Sequence, residues 1–409
     1  MDGAVLRRLA RRPAAVGIGV GAVALLAMLL PGLAPGGWRE PVDGPALPRE
    51  VARYSWFTAP LAPGVLRTAT MTYTNGVGVE FMDYPQLVVL GSDASTYRRL
   101  DAVETSADPA DQGDPATSLL APDGSFVVFA DGSGSGRVKV MTLADLSVRT
   151  LPIGTGRYAL PVSIGADGRT VLLLTGDASL SRYSDLGFRR NGRLARLDLV
   201  TGELRDYYLS GVDSAALAAD GSRIAAASGA GVVLVDVETG QVGGTISSGR
   251  RWLDGDAWSP GGTRLAVTTD DGVEVIELSS GQPVTVPVPL PGADYGHPVG
   301  WRDDDTLLVH VATDGDRNDS ALWQLDLRSG DHRELMGYAI DDFTGAALVS
   351  LDLARNLVAD LGVADTTPDR GPLVPGWAAL AALAWGLAGF GIAHGVLRWR
   401  DRRPVGVAQ

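Results

Sequence analysis

The run Asp314-Gly315-Asp316-Arg317-Asn318-Asp319 is the place in this chain where side-chain type and spacing most suggest chemistry. Asp314, Asp316 and Asn318 put oxygen atoms at alternate positions, as loops that collect Ca²⁺ ligands do. These three are the candidate metal ligands, with Ca²⁺ as the ion they suit. Two positions depart from such a loop. The sixth residue is Asp319 instead of Gly, and the twelfth is Leu325 instead of a bidentate Glu. The plainer reading is a polar hairpin tip between TLLVHV and ALWQLDL. No other cofactor is expected. The four histidines are His297, His310, His332 and His394. His310 stands in the apolar run LLVHVA, which suits a core or channel position better than a ligand. The sequence has no HExxH, no G-x-S-x-G and no P-loop, and with no Cys it has no thiolate. No catalytic residue is assigned.

Two further groups are candidates for contact with a partner. The stretch 176–193 carries Arg182, Tyr183, Phe188, Arg189 and Arg190, and arginine with aromatics is enriched where proteins meet. The plainer reading is an ordinary long loop, since loops vary freely. Trp252, Trp258 and Trp301 precede the strands of successive repeats. Trp258 and Trp301 suit packing between repeats, and a ligand channel lined by the three is the alternative.

The elements that hold these residues are read from a repeat. A turn followed by an apolar strand occurs as Pro122-Asp123-Gly124 before SFVVFA, Ala166-Asp167-Gly168 before RTVLLL, and Ala219-Asp220-Gly221 before SRIAAA. It returns as Pro260-Gly261-Gly262 before TRLAVT, and worn as Arg302-Asp303-Asp304 before TLLVHV. Asp-Gly and Gly-Gly supply the positive φ of tight reversals. A second mark follows each strand: LDLVTGEL from Leu197, VDVETGQV from Val235, IELSSGQP from Ile276 and LDLRSGDH from Leu325, with MTLADLSV from Met141 as a degenerate copy. Each predicts a strand, a two-residue turn and another strand. The turns at Asp123, Asp167, Asp220, Gly261 and Asp303 are spaced by 44, 53, 41 and 42 residues. A period near 40–45 with four short strands is that of a propeller blade. The longer interval is the 176–193 extension of one hairpin.

These marks resemble those of bacterial TolB-like and WD40-like β-propellers, over roughly residues 66–353. The resemblance implies an all-β propeller and no particular activity. The Trp-Asp and Gly-His pairs of eukaryotic WD40 repeats are missing, which favours the looser bacterial type. Five units are clear between Leu119 and Leu335. A divergent one precedes them, with strands near 71–81, 86–90 and 97–100. The strand-like segment 346–353 would complete that first blade and close the ring. Six blades are expected, with seven as the alternative.

Around the repeats lie two uncharged stretches. The first, 14–34, follows Arg7, Arg8, Arg11 and Arg12. The second, 374–397, precedes Arg398, Arg400, Arg402 and Arg403. Each is long enough to span a bilayer as a helix. Arginine-rich flanks stay cytoplasmic, so tails 1–13 and 398–409 are expected inside and everything between the spans outside. A cleaved signal peptide is the alternative for the first stretch. Proline-rich segments, 35–65 before the propeller (66–364) and 365–373 after it, serve as spacers. With the eight terminal arginines, Asp2 and Asp401 set aside, 27 basic and 46 acidic residues remain, a formal charge of −19. That charge argues against nucleic acid or anionic lipid as partner. Lys139 is the only lysine; this composition and the two-anchor layout resemble actinobacterial membrane proteins.

The expected protein is a two-pass protein of the plasma membrane with an extracytoplasmic propeller. It binds a protein or ligand, or senses one, without catalysis of its own. A lactonase- or quinoprotein-like enzyme with its site at the central channel is one alternative, and a structural part of an envelope assembly is the other. Fold alone does not choose between them.

Overall fold

The computed structural model describes residues 18–23, 43–76, 85–181, 183, 191–279, 282–313, 320–339, 348–372 and 383–394. The chain divides into two compact units. The larger comprises Trp38–Tyr54 and Pro60–Pro368; the smaller comprises Met1–Gly37, Ser55–Ala59 and Asp369–Gln409.

In the larger unit every repeat becomes one antiparallel sheet, with strands running outward from the central channel in chain order. Blade 2 is Ser118–Leu120, Phe126–Ala130, Arg137–Thr142 and Val148–Pro152. Blade 3 is Tyr158–Ile164, Thr170–Gly176, Gly192–Asp198 and Leu204–Val212. Blade 4 is Ser214–Leu217, Arg223–Ser228, Gly231–Asp236 and Val242–Ser248. Blade 5 has three regular strands, Arg264–Thr269, Gly272–Glu277 and Val284–Val288. Blade 6 is Ala293–Asp303, Thr306–Thr313, Ser320–Asp326 and His332–Tyr338. Blade 1 joins the two ends of the repeat array. Its innermost strand, Leu348–Leu353, pairs with Ala69–Asn75, and Gln86–Gly91 and Tyr97–Arg99 follow. The ring therefore has six blades and is closed by the late strand, as the sequence led us to expect.

The repeated turns work as their chemistry requires. Asp123 Oδ1 accepts the amide of Ser125 at 3.0 Å, and Gly124 follows at φ +73°. A Cβ on Gly124 would lie 2.0 Å from the Ala69 carbonyl oxygen, so no other residue fits there. The second mark differs from expectation. The reversal closes between Asp198 N and Glu203 O (2.9 Å) and is wider than a two-residue turn. The cause is the Asp198 carboxylate, which takes the amides of Val200 and Thr201 (2.8 and 2.9 Å) before Gly202 turns at φ +76°. In the degenerate copy Leu146 adopts φ +58° at the glycine position.

The core is six separate apolar layers, one in each seam between neighbouring blades. Trp258 and Trp301, exposed by 3% and 5%, lie in successive seams, as expected. Each indole N–H donates to a carbonyl of the preceding blade, Trp258 to Ala216 (3.0 Å) and Trp301 to Ala257 (2.9 Å).

Part of the proline-rich lead-in is built into the ring. Ala46–Pro48 pairs in parallel with Gly362–Ala364. Val51 N bonds Gly337 O (2.9 Å) on the outer strand of blade 6, and Leu61 N bonds Arg99 O (2.8 Å) on the outer strand of blade 1. The apolar residues between the prolines explain this: Leu47 and Val51 fill the seam where blades 6 and 1 meet.

In the smaller unit, helix is described at 18–23 and 383–394. A Cβ on Gly389 would stand 3.2 Å from Val20 Cγ2, so the two helices touch at a glycine. Among the described residues no helix is long and apolar enough to cross a membrane. Most of the first apolar stretch and half of the second lie outside the described residues.

Candidate functional site

The largest concentration of functional side chains lies in the central channel, at a break in blade 5. Where other blades carry a regular innermost strand, residues 252–258 hold the ladder only at their ends. Trp252 exchanges bonds with Thr268 (2.9 Å each way), and the Ala257 carbonyl accepts from Ala266 N (2.8 Å). Between these points Leu253 to Asp256 leaves the sheet, as a bulge that re-aims side chains does. Leu253 N donates to Ser214 Oγ (2.9 Å) on blade 4, and the Gly255 carbonyl accepts from Ser163 Oγ (2.8 Å) on blade 3. A Cβ on Gly255 would meet the Val162 carbonyl oxygen at 2.9 Å. Glycine is what lets the loop lie across the channel.

This loop carries Asp254 and Asp256. Asp254 Oδ1 accepts from His297 Nε2 at 2.7 Å, and the other imidazole nitrogen meets Thr268 Oγ1 at 2.9 Å. Asp254 Oδ2 is buried with no hydrogen-bond partner. Asp256 forms an ion pair with Arg355, which also donates to the Gly255 carbonyl (3.0 Å). Asp352, on the closing strand, accepts from Leu120 N at 2.6 Å.

These groups shift one another. Burial, then the negative charge of Asp256, pushes the Asp352 carboxyl up to about 8, against the Leu120 amide that lowers it. Burial also raises Asp256, in spite of Arg355. For His297, burial favours the neutral ring but Asp254 outweighs it, so the imidazole titrates above its ordinary value. His310, its cross-strand neighbour, falls to about 4 through burial and the charge of His297.

The cavity above these residues has a volume of about 210 Å³. Asp111, Asp114, Asp213, Asp254, Asp256 and Asp352 line it, with Trp252 in the wall. Among the described residues no lysine or arginine lines it. The other end of the channel is crossed by a short 3-10 helix, Arg355–Asp360. Ala354 N bonds Thr70 O of blade 1 (2.9 Å), and Asn356 N bonds Pro122 O of blade 2 (2.8 Å). The Asn356 side chain donates to Ala166 O of blade 3 (3.1 Å), and Arg302 of blade 6 donates to Val358 O (3.3 Å). With Arg355 bonded to blade 5, the helix ties five blades together.

Asp314, Asp316 and Asn318 lie outside the described residues, in sequence between the second and third strands of blade 6. Arg182, Phe188, Arg189 and Arg190 also lie outside them, in sequence between the second and third strands of blade 3. Tyr183 is half-buried. Its amide bonds Ser181 Oγ (3.2 Å), which donates to Ala110 O (3.1 Å). That ties the start of the hairpin to the connection between blades 1 and 2. Of the three tryptophans only Trp252 lines the cavity. Among the described residues no group of three or more His, Asp or Glu could hold a metal ion.

Fold and site together define a six-bladed propeller with an acid-lined channel. No protein-family model matches the chain, and no curated protein does. Solved structures that resemble it include TolB from Acinetobacter baumannii (TM-score 0.46, 13% identity, 74% of this chain and 67% of that one). A protein described as a TolB from Agrobacterium tumefaciens aligns at TM-score 0.41 and 12% identity, over 66% of this chain and 90% of that one. An oligogalacturonate lyase from Vibrio parahaemolyticus aligns at 0.39 and 13%, over 68% and 78%. At these scores they bear on neither fold nor function; the propeller assignment stands on the strand pairing of this chain.

Proposed function

We propose that the protein is a recognition module without catalysis of its own, held outside the cell on two membrane helices, that takes a positively charged group of a ligand or partner protein into its channel. The observation that carries this reading is the cavity itself: six aspartates line it, of which Asp352 keeps its proton up to about pH 8 and Asp256 is paired with Arg355, and one carboxylate oxygen, Asp254 Oδ2, is left without a partner. Low-dielectric walls of one charge sign attract and retain the opposite one. Arg355 already answers Asp256, which demonstrates the chemistry on a guanidinium.

The tether reading is supported by the two uncharged stretches with their arginine flanks. The parallel pairing of Ala46–Pro48 with Gly362–Ala364 also supports it, since both spacers then start from one place on the propeller. Both termini are cytoplasmic in this arrangement. In the same reading the segment 176–193, with Arg182, Tyr183, Phe188, Arg189 and Arg190, meets a protein partner, a role its arginines and aromatics support.

Calorimetric titration of the 38–372 fragment with an arginine tripeptide, spermidine and Ca²⁺ tests the binding. At least one probe should bind, and Asp254→Asn should weaken it tenfold or about 1.4 kcal/mol. Absence of binding by all three, or binding indifferent to the substitution, sinks the reading. Ca²⁺ binding that survives Asp254→Asn would instead send attention to Asp314, Asp316 and Asn318. One observation favours a second reading, an enzyme. A carboxyl titrating at about 8 in a cavity is suited to general acid–base catalysis near neutrality.

A further inference from the structure

A short turn outside the propeller repeats presents two adjacent aromatic side chains outward. Trp56 and Phe57 are 38% and 46% exposed, while Tyr54, Thr58 and Ala59 on either side are 7%, 4% and 4%. Single exposed apolar residues are ordinary on any surface. This pair is different in being held. Thr58 N and Thr58 Oγ1 both bond the Ser55 carbonyl (3.2 and 3.1 Å), and Phe57 N bonds Ser55 Oγ (3.2 Å). The flanks are buried and the turn is closed on itself, so the two rings stay at the tip. The contrast with the blades is sharp: Trp258, Trp301 and Trp323 are exposed by 3%, 5% and 6%.

The surroundings indicate what meets the tip. Ser55–Ala59 belongs to the same compact unit as 369–409. Within that unit Ala59 N donates to Arg370 O at 2.8 Å. Arg370 lies four residues before Val374, the start of the second apolar stretch. Four residues reach at most about 14 Å. The tip is therefore bound to chain that is about to enter the hydrocarbon, if the tether reading holds. Tryptophan with a second large ring is the pair of side chains favoured at the lipid–water boundary, where an apolar body and a polar N–H are both accommodated.

We propose that the Trp56–Phe57 turn is a third membrane contact of this protein, seated in the lipid headgroup region beside the second helix. The inference rests on the membrane tether proposed above. It adds a function for a segment that neither the repeats nor the channel uses.

The chain contains no Cys, so one introduced thiol is a unique label. Phe57→Cys and, as control, Tyr208→Cys (Tyr208 is fully exposed, on the outer strand of blade 3) would each be made in the full chain. Each variant is labelled with a polarity-sensitive fluorophore and reconstituted in phosphatidylcholine–phosphatidylglycerol vesicles. A spin-labelled headgroup lipid should quench the label at 57 about threefold more than that at 208, because the interfacial layer is only several Å deep. The emission at 57 should also shift to the blue. A chain that resists alkaline extraction from the vesicles but shows equal quenching at both sites overturns the tip and leaves the tether standing. Protection of site 57 from soluble iodide without lipid quenching means a protein covers it, and overturns the lipid assignment. Release of the chain by alkaline extraction overturns the tether, and the tip with it.

Discussion

Replacing Asp352 by Asn should make the propeller more stable at neutral pH, although it alters a residue at the centre of the candidate site. The carboxyl lines the channel, and desolvation together with the charge of Asp256 pushes it up to about 8, against an ordinary value of 3.8. Below pH 4 folded and unfolded chains both hold the proton and the residue costs nothing. Between pH 4 and 8 the unfolded chain has lost it and the folded one keeps it, so stability falls by about 1.4 kcal/mol for each pH unit gained. Above pH 8 the loss levels off. At pH 7 the full cost is about 4 kcal/mol by this linkage, an upper figure because the neighbouring carboxylates share the burden. Asparagine stays neutral throughout, and its side-chain oxygen can still accept from Leu120 N, which donates to Asp352 at 2.6 Å. The variant should gain about 2–4 kcal/mol at pH 7 and nothing at pH 4. Urea denaturation of the 38–372 fragment at pH 4, 5, 6, 7 and 8 measures both proteins directly. Parallel pH profiles for the two, or a variant less stable than the parent at pH 7, would refute the reasoning about this carboxyl.

Two other substitutions test the ring. Trp258→Phe removes the indole N–H from the buried Ala216 carbonyl and should cost about 1–3 kcal/mol; an unchanged urea midpoint would mean that the inter-blade bond contributes nothing. Leu47→Ala hollows the seam between blades 6 and 1, where Leu47 is fully buried. It should cost about 3 kcal/mol and raise proteolysis near residue 46, whereas a loss below about 0.5 kcal/mol, the range of ordinary surface changes, would show that the lead-in is only laid over the ring.

The fold could be read from the sequence because its determinants are local and repeated. An aspartate that binds amides two residues on, followed by a glycine at positive φ, makes the same reversal at 123, 167 and 220. Repetition at a fixed interval then predicts the blade. Even the closing strand was legible, as an apolar segment left over after the other blades were filled. The channel was not, because it has no local period. Asp254, His297 and Asp352 come from three places in the chain and meet only when the ring shuts. A signal did exist at one of them. Asp254-Gly255-Asp256 interrupts a stretch where the preceding repeat reads Asp213-Ser214-Ala215, and a second charge in an inner strand conflicts with the repeat's own pattern. Asp314, Asp316 and Asn318, and Arg182 to Arg190, attract notice through local composition, a signal of a different kind from the one that assembles the channel.

The pairing of Leu348–Leu353 with Ala69–Asn75 also governs how this chain comes to be finished. Until the last strand arrives, Ala69–Asn75 is the bare inner edge of an incomplete sheet, and open edges of this kind recruit other chains. Bringing Leu353 to Met71 closes a loop of nearly the whole domain, at an entropic cost of about 5 kcal/mol. Five blades can condense from neighbouring residues as they emerge, but the sixth waits for residues 348–353. A chain cut short of residue 348 therefore keeps a sticky edge, so the strand that seals the ring is also what guards the unfinished sheet against other chains.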